Sequence, residues 1–145
     1  MKKRDWVAAL TLLECDKKYS HRHDLKTYMS IAYCAFHNGD YKKAMEIYDE
    51  LMKRQDYDRN IHAFKACCMY ALCNYREAKI EAEKAENSEL KNRLLFQLAQ
   101  KCGDENEIMS YHAQLSTSIE DQLCMAALHY LRSHFEEATE IYKKL

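Results

Sequence analysis

Seven cysteines and seven histidines are the side chains of this sequence best suited to nucleophilic or metal chemistry. Structural zinc sites need such ligands in short paired spacings. No Cys-x-x-Cys occurs, Cys67 and Cys68 are adjacent, and Cys34, Cys73 and Cys102 stand apart. These five fall within or at the ends of helical stretches, where a free cysteine behaves as a small core residue. The odd cysteine count argues against a disulfide framework, so all seven thiols are expected to be reduced and free of metal. His21-x-His23 lies in the polar stretch from Asp16 to Asp24 and reads as part of a solvated loop. His129 and His134 are five apart, off the spacing of three or four that puts side chains on one helix face, and read as structural. Asp104-Glu105-Asn106-Glu107 lacks the alternating spacing of a calcium loop, and acids opening a helix already suit its dipole. Glu81, Glu83, Glu86 and Glu89 offer carboxylates for which the spacing identifies no histidine partner. No nucleophile stands beside a recognisable base. No enzyme activity, catalytic residue, cofactor or metal site is therefore expected.

The elements that carry these residues follow from composition and repetition. The chain has 145 residues, 22 Lys and Arg against 23 Asp and Glu, and a net charge of −1. That balance lacks the basic face a nucleic-acid partner requires, and a binder of single-stranded RNA is disfavoured on the same ground. Two glycines and no proline remove most phosphate-cradling loops and make a turn-rich all-β fold improbable. No stretch approaches the roughly 18 unbroken apolar residues of a membrane helix. The basic start Met1-Lys2-Lys3-Arg4-Asp5-Trp6 runs into interrupted sequence rather than a leader core. An all-α domain with no membrane insertion is the expectation.

Self-comparison gives the architecture. Asn38-Gly39-Asp40-Tyr41-Lys42-Lys43-Ala44 recurs as Cys73-Asn74-Tyr75-Arg76-Glu77-Ala78, with Tyr41 and Tyr75 34 residues apart (75 − 41). A further copy reads Ser133-His134-Phe135-Glu136-Glu137-Ala138, and Asp5-Trp6-Val7-Ala8-Ala9 is a partial one. A period of 34 with two helices per unit is the tetratricopeptide pattern. Each full unit carries a small residue on each helix, Ala32 with Ala44, Ala66 with Ala78 and Ala126 with Ala138, which lets paired helices approach closely. Asp40, Asn74 and Asp104 stand where second helices begin and can cap them; Asp104-x-x-Glu107 resembles a capping box, and Asn38-Gly39 supplies a left-handed helix exit. Helices are expected over 4–15, 24–38, 41–54, 60–73, 75–87, 89–102, 105–116, 119–132 and 135–145. They form one solenoid over 1–145, a right-handed α-α superhelix of about four and a half hairpins. Its parts are a partial repeat 1–18, repeats 24–56 and 59–87, an irregular hairpin 88–116 and a repeat 119–145. In the irregular hairpin Gly103 makes the turn, and Ile108, Met109, Tyr111, His112 and Leu115 are expected to face inward.

The irregular segment also carries a resemblance. Asn92-Arg93-Leu94-Leu95-Phe96-Gln97-Leu98-Ala99-Gln100-Lys101, Met109-Ser110-Tyr111-His112 and Glu120-Asp121-Gln122-Leu123 resemble the intraflagellar transport protein 56 family, a subunit family of ciliary transport complex B. The runs from His129 to Ala138, Ile141-Tyr142-Lys143, Tyr33-Cys34-Ala35-Phe36-His37 and Gly39-Asp40-Tyr41-Lys42 are similar to it as well. Two departures bear on the second repeat: Cys73 stands for the turn glycine and His62 for the tryptophan of the pattern. The resemblance implies a non-enzymatic scaffold, a fragment of a longer protein, that joins other complex B subunits and carries axonemal motility cargo. It implies a place in the cilium or flagellum and basal body, with a cytoplasmic pool.

In stacked hairpins the first helices line the inner wall, where partner segments bind. The protein-binding candidates are Met29, Tyr33 and His37, then Ala63, Cys67 and Tyr70, then Leu123, Ala127 and Tyr130. A general adaptor or chaperone-docking module outside cilia is the alternative. A clamp for an acidic C-terminus needs Lys, Arg and Asn, whereas the matching positions hold Met29, Tyr33, Phe64 and Cys124. Finally, Ala138, Ile141, Tyr142 and Leu145 form an apolar stripe on the last helix, through which self-association is expected.

Overall fold

A computed structural model describes residues 5–19, 24–103 and 105–145, and all regular structure among them is helical. The described chain divides into two compact units, Met1–Glu86 and Asn87–Leu145. The first holds α1 (Trp6–Tyr19), α2 (Leu25–His37), α3 (Tyr41–Met52), α4 (Ile61–Ala71) and α5 (Tyr75–Glu83). The second holds α6 (Glu89–Cys102), α7 (Glu105–His112), α8 (Ile119–Leu131) and α9 (Phe135–Lys144). These elements match the nine helical segments expected from the sequence, with ends differing by a few residues. His21, His23 and Asp104, and with Asp104 the capping box, lie outside the described residues.

Each helix pairs with its neighbour in the chain: α1 with α2, α2 with α3, α3 with α4 and α4 with α5 in the first unit. In the second, α6 packs on α7 and α8 on α9, with a smaller α6–α8 contact. The alanines explain the closeness. Ala32, Ala44, Ala66, Ala78 and Ala126 are wholly buried and Ala138 nearly so, leaving no side chain to hold the paired backbones apart. The core of the first unit gathers Leu10, Ile31, Ile47, Tyr48, Leu51, Ile61 and Cys68; that of the second gathers Phe96, Ala99, Ile108 and Cys124.

Three hairpin turns repeat one geometry. Gly39 (φ 88°), Cys73 (φ 64°) and Ser133 (φ 62°) each adopt the left-handed conformation. The next amide donates back five residues: Asp40 N to Ala35 O (2.9 Å), Asn74 N to Met69 O (2.9 Å) and His134 N to His129 O (2.8 Å). That is the Schellman bond, and the donating residue is already the cap of the following helix. The reversal brings together an aromatic pair five residues apart: Phe36–Tyr41 at 5.4 Å, Tyr70–Tyr75 at 5.3 Å and Tyr130–Phe135 at 5.5 Å between centroids. Only the first turn uses glycine, so Cys73 and Ser133 hold a backbone geometry that disfavours a Cβ.

Caps follow the sequence in part. Asp40 accepts a hydrogen bond from Lys43 N (3.3 Å), whereas Asn74 heads α5 with no side-chain cap bond. Ser88, Ser118 and Asp24 cap α6, α8 and α2 by accepting from Lys91, Asp121 and Lys26 amides. Gly103 turns between α6 and α7 in an extended conformation, and space is what demands glycine there. A Cβ would meet Ala99 O at 2.7 Å and Ala99 Cα at 2.8 Å.

Two inward expectations are corrected. Met109 and His112 are exposed on α7, whose eight residues turn only Ile108 fully into the core, with Tyr111 and Leu115 packed at its margin. Cys73 and Cys102 are exposed, because they lie in a turn and at the last position of α6 rather than inside helix faces.

Candidate protein-interaction surface

The nine candidate residues fall into three environments. On α2, Met29 is half-buried while Tyr33 and His37 are exposed. Neither ring stands alone: the Trp6 indole of α1 stacks on His37 (4.6 Å, 16° between planes) and meets Tyr33 edge-on at 5.7 Å. Tyr33 and His37 are themselves 4.3 Å apart. Spacing on α2 alone placed the two rings together, but Trp6 completes the cluster from another helix and was not foreseen. On α4, Ala63 is wholly buried and offers no surface, while Cys67 and Tyr70 are half-buried, Tyr70 against Tyr75. On α8, Leu123, Ala127 and Tyr130 are all exposed, and exposed Ile119 extends them to an apolar stripe at spacings of four, four and three. Such spacing keeps all four on one helix face for three turns. Phe64 and Cys124, compared above with clamp positions, face cores instead: Phe64 lies against Tyr48 at 6.1 Å and Cys124 is buried.

Polar chemistry sits elsewhere. Glu81 is 7% exposed, and its histidine partner is His62, 19 residues earlier. His62 Nδ1 lies 2.8 Å from Glu81 Oε1 and Nε2 lies 2.9 Å from Tyr57 Oη. Lys84 Nζ donates to Glu81 Oε2 at 2.8 Å. Burial alone would raise the Glu81 carboxyl; hydrogen bonds from Lys84 and His62, with Lys65 nearby, outweigh it and hold the group below its ordinary value. A carboxylate can only accept, so Nδ1 carries the proton. Nε2 then accepts from the Tyr57 hydroxyl when the ring is neutral and donates to it when charged. The chain of contacts ties the α3–α4 loop to α4 and α5. These contacts build packing between the three elements.

A second buried acid, Asp121, is 1% exposed and fully partnered. Its Oδ2 accepts from Ser116 N (2.7 Å) and Ser116 Oγ (2.8 Å), and its Oδ1 from Arg93 (2.8 Å). Burial pushes its carboxyl up, and these donors outweigh that and keep it below the ordinary value. It fastens the α7–α8 loop to α6. His129 and His134, read from spacing as facing apart, lie 5.9 Å apart because the left-handed turn at Ser133 folds one toward the other.

The cysteines divide: Cys34, Cys68 and Cys124 are buried, Cys67 half-buried, and Cys15, Cys73 and Cys102 exposed, all as free thiols. Burial pushes the Cys68 thiol up to about 12, with Cys67 adding to it, so at neutral pH it packs as a small hydrophobe. No group of three or more His, Cys, Asp or Glu side chains among the described residues could hold a metal ion. Among the same residues no helix is long and apolar enough to cross a membrane.

All-helical hairpins joined by repeated left-handed turns, with outward-facing apolar and aromatic rows, define a helical-repeat protein of the tetratricopeptide type. The family model for intraflagellar transport protein 56 matches residues 28–145, and the chain belongs to that family. It is 30% identical over 142 residues to the intraflagellar transport protein 56 homolog of Caenorhabditis elegans. The match covers 96% of this chain and 25% of the relative, so the chain spans about a quarter of that protein's length.

Proposed function

We propose that this chain is a non-enzymatic interaction segment of an intraflagellar transport complex B subunit, one that carries motility-related cargo into cilia and flagella. Its partners are other complex B subunits and axonemal cargo proteins. Its places are the cilium or flagellum and basal body, with a cytoplasmic pool. The observation that carries the reading is the bare stripe on α8, Ile119, Leu123, Ala127 and Tyr130, in a member of this family. Exposed apolar side chains in a row at helical spacing suit a partner helix or extended segment. Tyr33 and Tyr130 are the aromatic anchors, the kind of residue that dominates interface energies.

Replacing both by Glu in the full-length protein, in ciliated cells, tests the proposal. Partner recovery on co-purification falls, by more than about 1 kcal/mol in affinity, while helical content is kept. Cilia still form but lose motility proteins. Normal motility and cargo content in that variant would overturn the cargo role. Docking of an acidic chaperone tail is not favoured, because the outward rows carry no cation clamp. Micromolar binding abolished by amidating such a peptide's C-terminus would favour that alternative instead.

A further inference from the structure

Ten of the eleven tyrosines of this chain lie in helices, and Tyr57 is the exception. It sits in the α3–α4 loop, on irregular backbone between exposed Asp56 and Asp58. The loop residues from Lys53 to Arg59 are exposed apart from Tyr57, whose half-buried ring packs against the core of the first unit. That ring meets His62 edge-on at 5.5 Å, and its Oη lies 2.9 Å from His62 Nε2. The hydroxyl is thus one imidazole away from buried Glu81, whose other oxygen is held by Lys84. One phenol oxygen joins an exposed loop to the polar chain that fills the α4–α5 hairpin.

That place suits covalent modification of the oxygen. A tyrosine kinase must bring the acceptor hydroxyl into line with the γ-phosphate of ATP inside its own cleft. A loop residue reaches such a cleft by a local opening, whereas a helical tyrosine reaches it only when its helix unwinds. Exposed acids on both sides give a kinase with a basic substrate groove a charge to hold. The free hydroxyl fits its place against His62, but a phosphate ester does not. It adds a tetrahedral group where 2.9 Å separates Oη from Nε2, and about 1.5 to 2 negative charges close to the Glu81 carboxylate. The Lys84 ammonium already answers Glu81, so the second anion is better placed in solvent.

We propose that Tyr57 is a phosphoryl-acceptor site whose modification by a tyrosine kinase uncouples the α3–α4 loop from the α4–α5 hairpin. The γ-phosphoryl group of ATP passes to Oη, its bond to the β-phosphate breaks, ADP leaves, and the phenol proton goes to the base of the kinase. His62 Nε2 loses its phenol partner, and the loop carries the new charge outward between Asp56 and Asp58. Glu81 keeps His62 Nδ1 and Lys84, so the hairpin stays assembled while the loop beside it loosens. The site stands apart from the α8 stripe and does not depend on its partner.

The test treats the whole chain with ATP, Mg²⁺ and the catalytic domain of a tyrosine kinase that prefers acidic substrates, and maps the phosphate by peptide. Tyr57 is modified first, ahead of Tyr19, Tyr33, Tyr130 and Tyr142, each of which is at least half exposed. Asp56→Asn slows the reaction. Amide hydrogen exchange in the loop and the first turn of α4 then speeds by at least about tenfold, and a phosphatase reverses it. Tyr57→Phe treated in the same way shows no acceleration over untreated Tyr57→Phe. Phosphate entering the helical tyrosines first, or entering Tyr57 only in urea, overturns the proposal. So does stoichiometric phosphate on Tyr57 with unchanged exchange, because the hydroxyl is then not the tether.

Discussion

Where α3 buries Ile47, the matching turn of α5, 34 residues on (81 − 47), buries Glu81, and the two hairpins of the first unit accommodate their second helices in opposite ways. In α2–α3 the space is filled by Ile47, Tyr48 and Leu51 against Ile31 and Ala35. In α4–α5 the same frame holds Glu81, Ala82 and Ala85, and the lost apolar volume is answered by a polar chain. His62, which stands where the first hairpin has Tyr28, reaches Glu81 on one side and Tyr57 on the other. Apolar filling is indifferent to pH and tolerates isosteric change. A buried carboxylate with three partners gives little net stability over an apolar pair, yet it is costly to break from one side. The two hairpins thus share a backbone plan and differ in how they fail.

The largest effect expected is from one-sided truncation. Leu51→Ala destabilises the first unit by about 3 kcal/mol through lost burial and the cavity left behind, equally at pH 7 and pH 4. Glu81→Ala costs about 3 kcal/mol at pH 7, because His62 and Lys84 lose their acceptor. Since the folded Glu81 carboxyl titrates below its ordinary value of 4.5, its contribution is complete above that pH and is lost as pH falls through the lower folded value. The penalty of Glu81→Ala therefore narrows in acid while that of Leu51→Ala does not. Trp6, the single tryptophan, lies in the first unit, so urea titrations followed by its fluorescence report that unit.

Converting one hairpin into the other comes next. His62→Tyr with Glu81→Ile installs the side chains of Tyr28 and Ile47. The pair is expected to lie within about 1 kcal/mol of the native chain or above it, while either single change is clearly destabilising. A double variant as damaged as the singles would show that the polar chain is indispensable to this packing.

Caps give a smaller contrast. Asp40→Ala removes a bond to the Lys43 amide and costs about 1 kcal/mol. Asn74→Ala, at the same place in the second hairpin but without such a bond, costs only a few tenths. Smallest is the turn itself: Cys73→Gly relieves the left-handed strain that Gly39 never has, for a net gain of about 0.5 kcal/mol after the added freedom of the unfolded chain. Thermal melts of the two cap variants and of this one rank the effects directly.

What the sequence disclosed follows from the same contrast. The alanine pairs, the turns and the helix order were legible because they recur with a fixed period, and repetition separates signal from local noise. The Glu81–His62 pair was not, since Glu81 was read as one of four carboxylates, Glu81, Glu83, Glu86 and Glu89, for which the spacing identifies no histidine partner. Yet the 34-residue offset already set Glu81 over Ile47, and an acid at a core place in the repeat is the signal that calls for a partner. Of the candidate surface, Leu123, Ala127 and Tyr130 are exposed on α8. Ala63 is not, because a methyl group at a wall position sinks into the joint. Trp6 escaped notice because its contacts with Tyr33 and His37 join residues of different helices, about which periodicity along one helix is silent.

The order in which the helices pack bears on how the chain reaches its structure. In the first unit α1 through α5 pair in sequence order, so each contact closes a short loop. Proteins built from such low-contact-order pairings fold in microseconds to milliseconds, and with no proline in the chain, prolyl isomerisation supplies no slow phase. A hairpin such as α2–α3 can therefore nucleate by itself as soon as its residues are available and template the next. The hairpin held by Glu81 and His62 must bring three polar groups together before it gains from any of them. It is the natural late step, and by the same reasoning the place where unfolding of this unit would start.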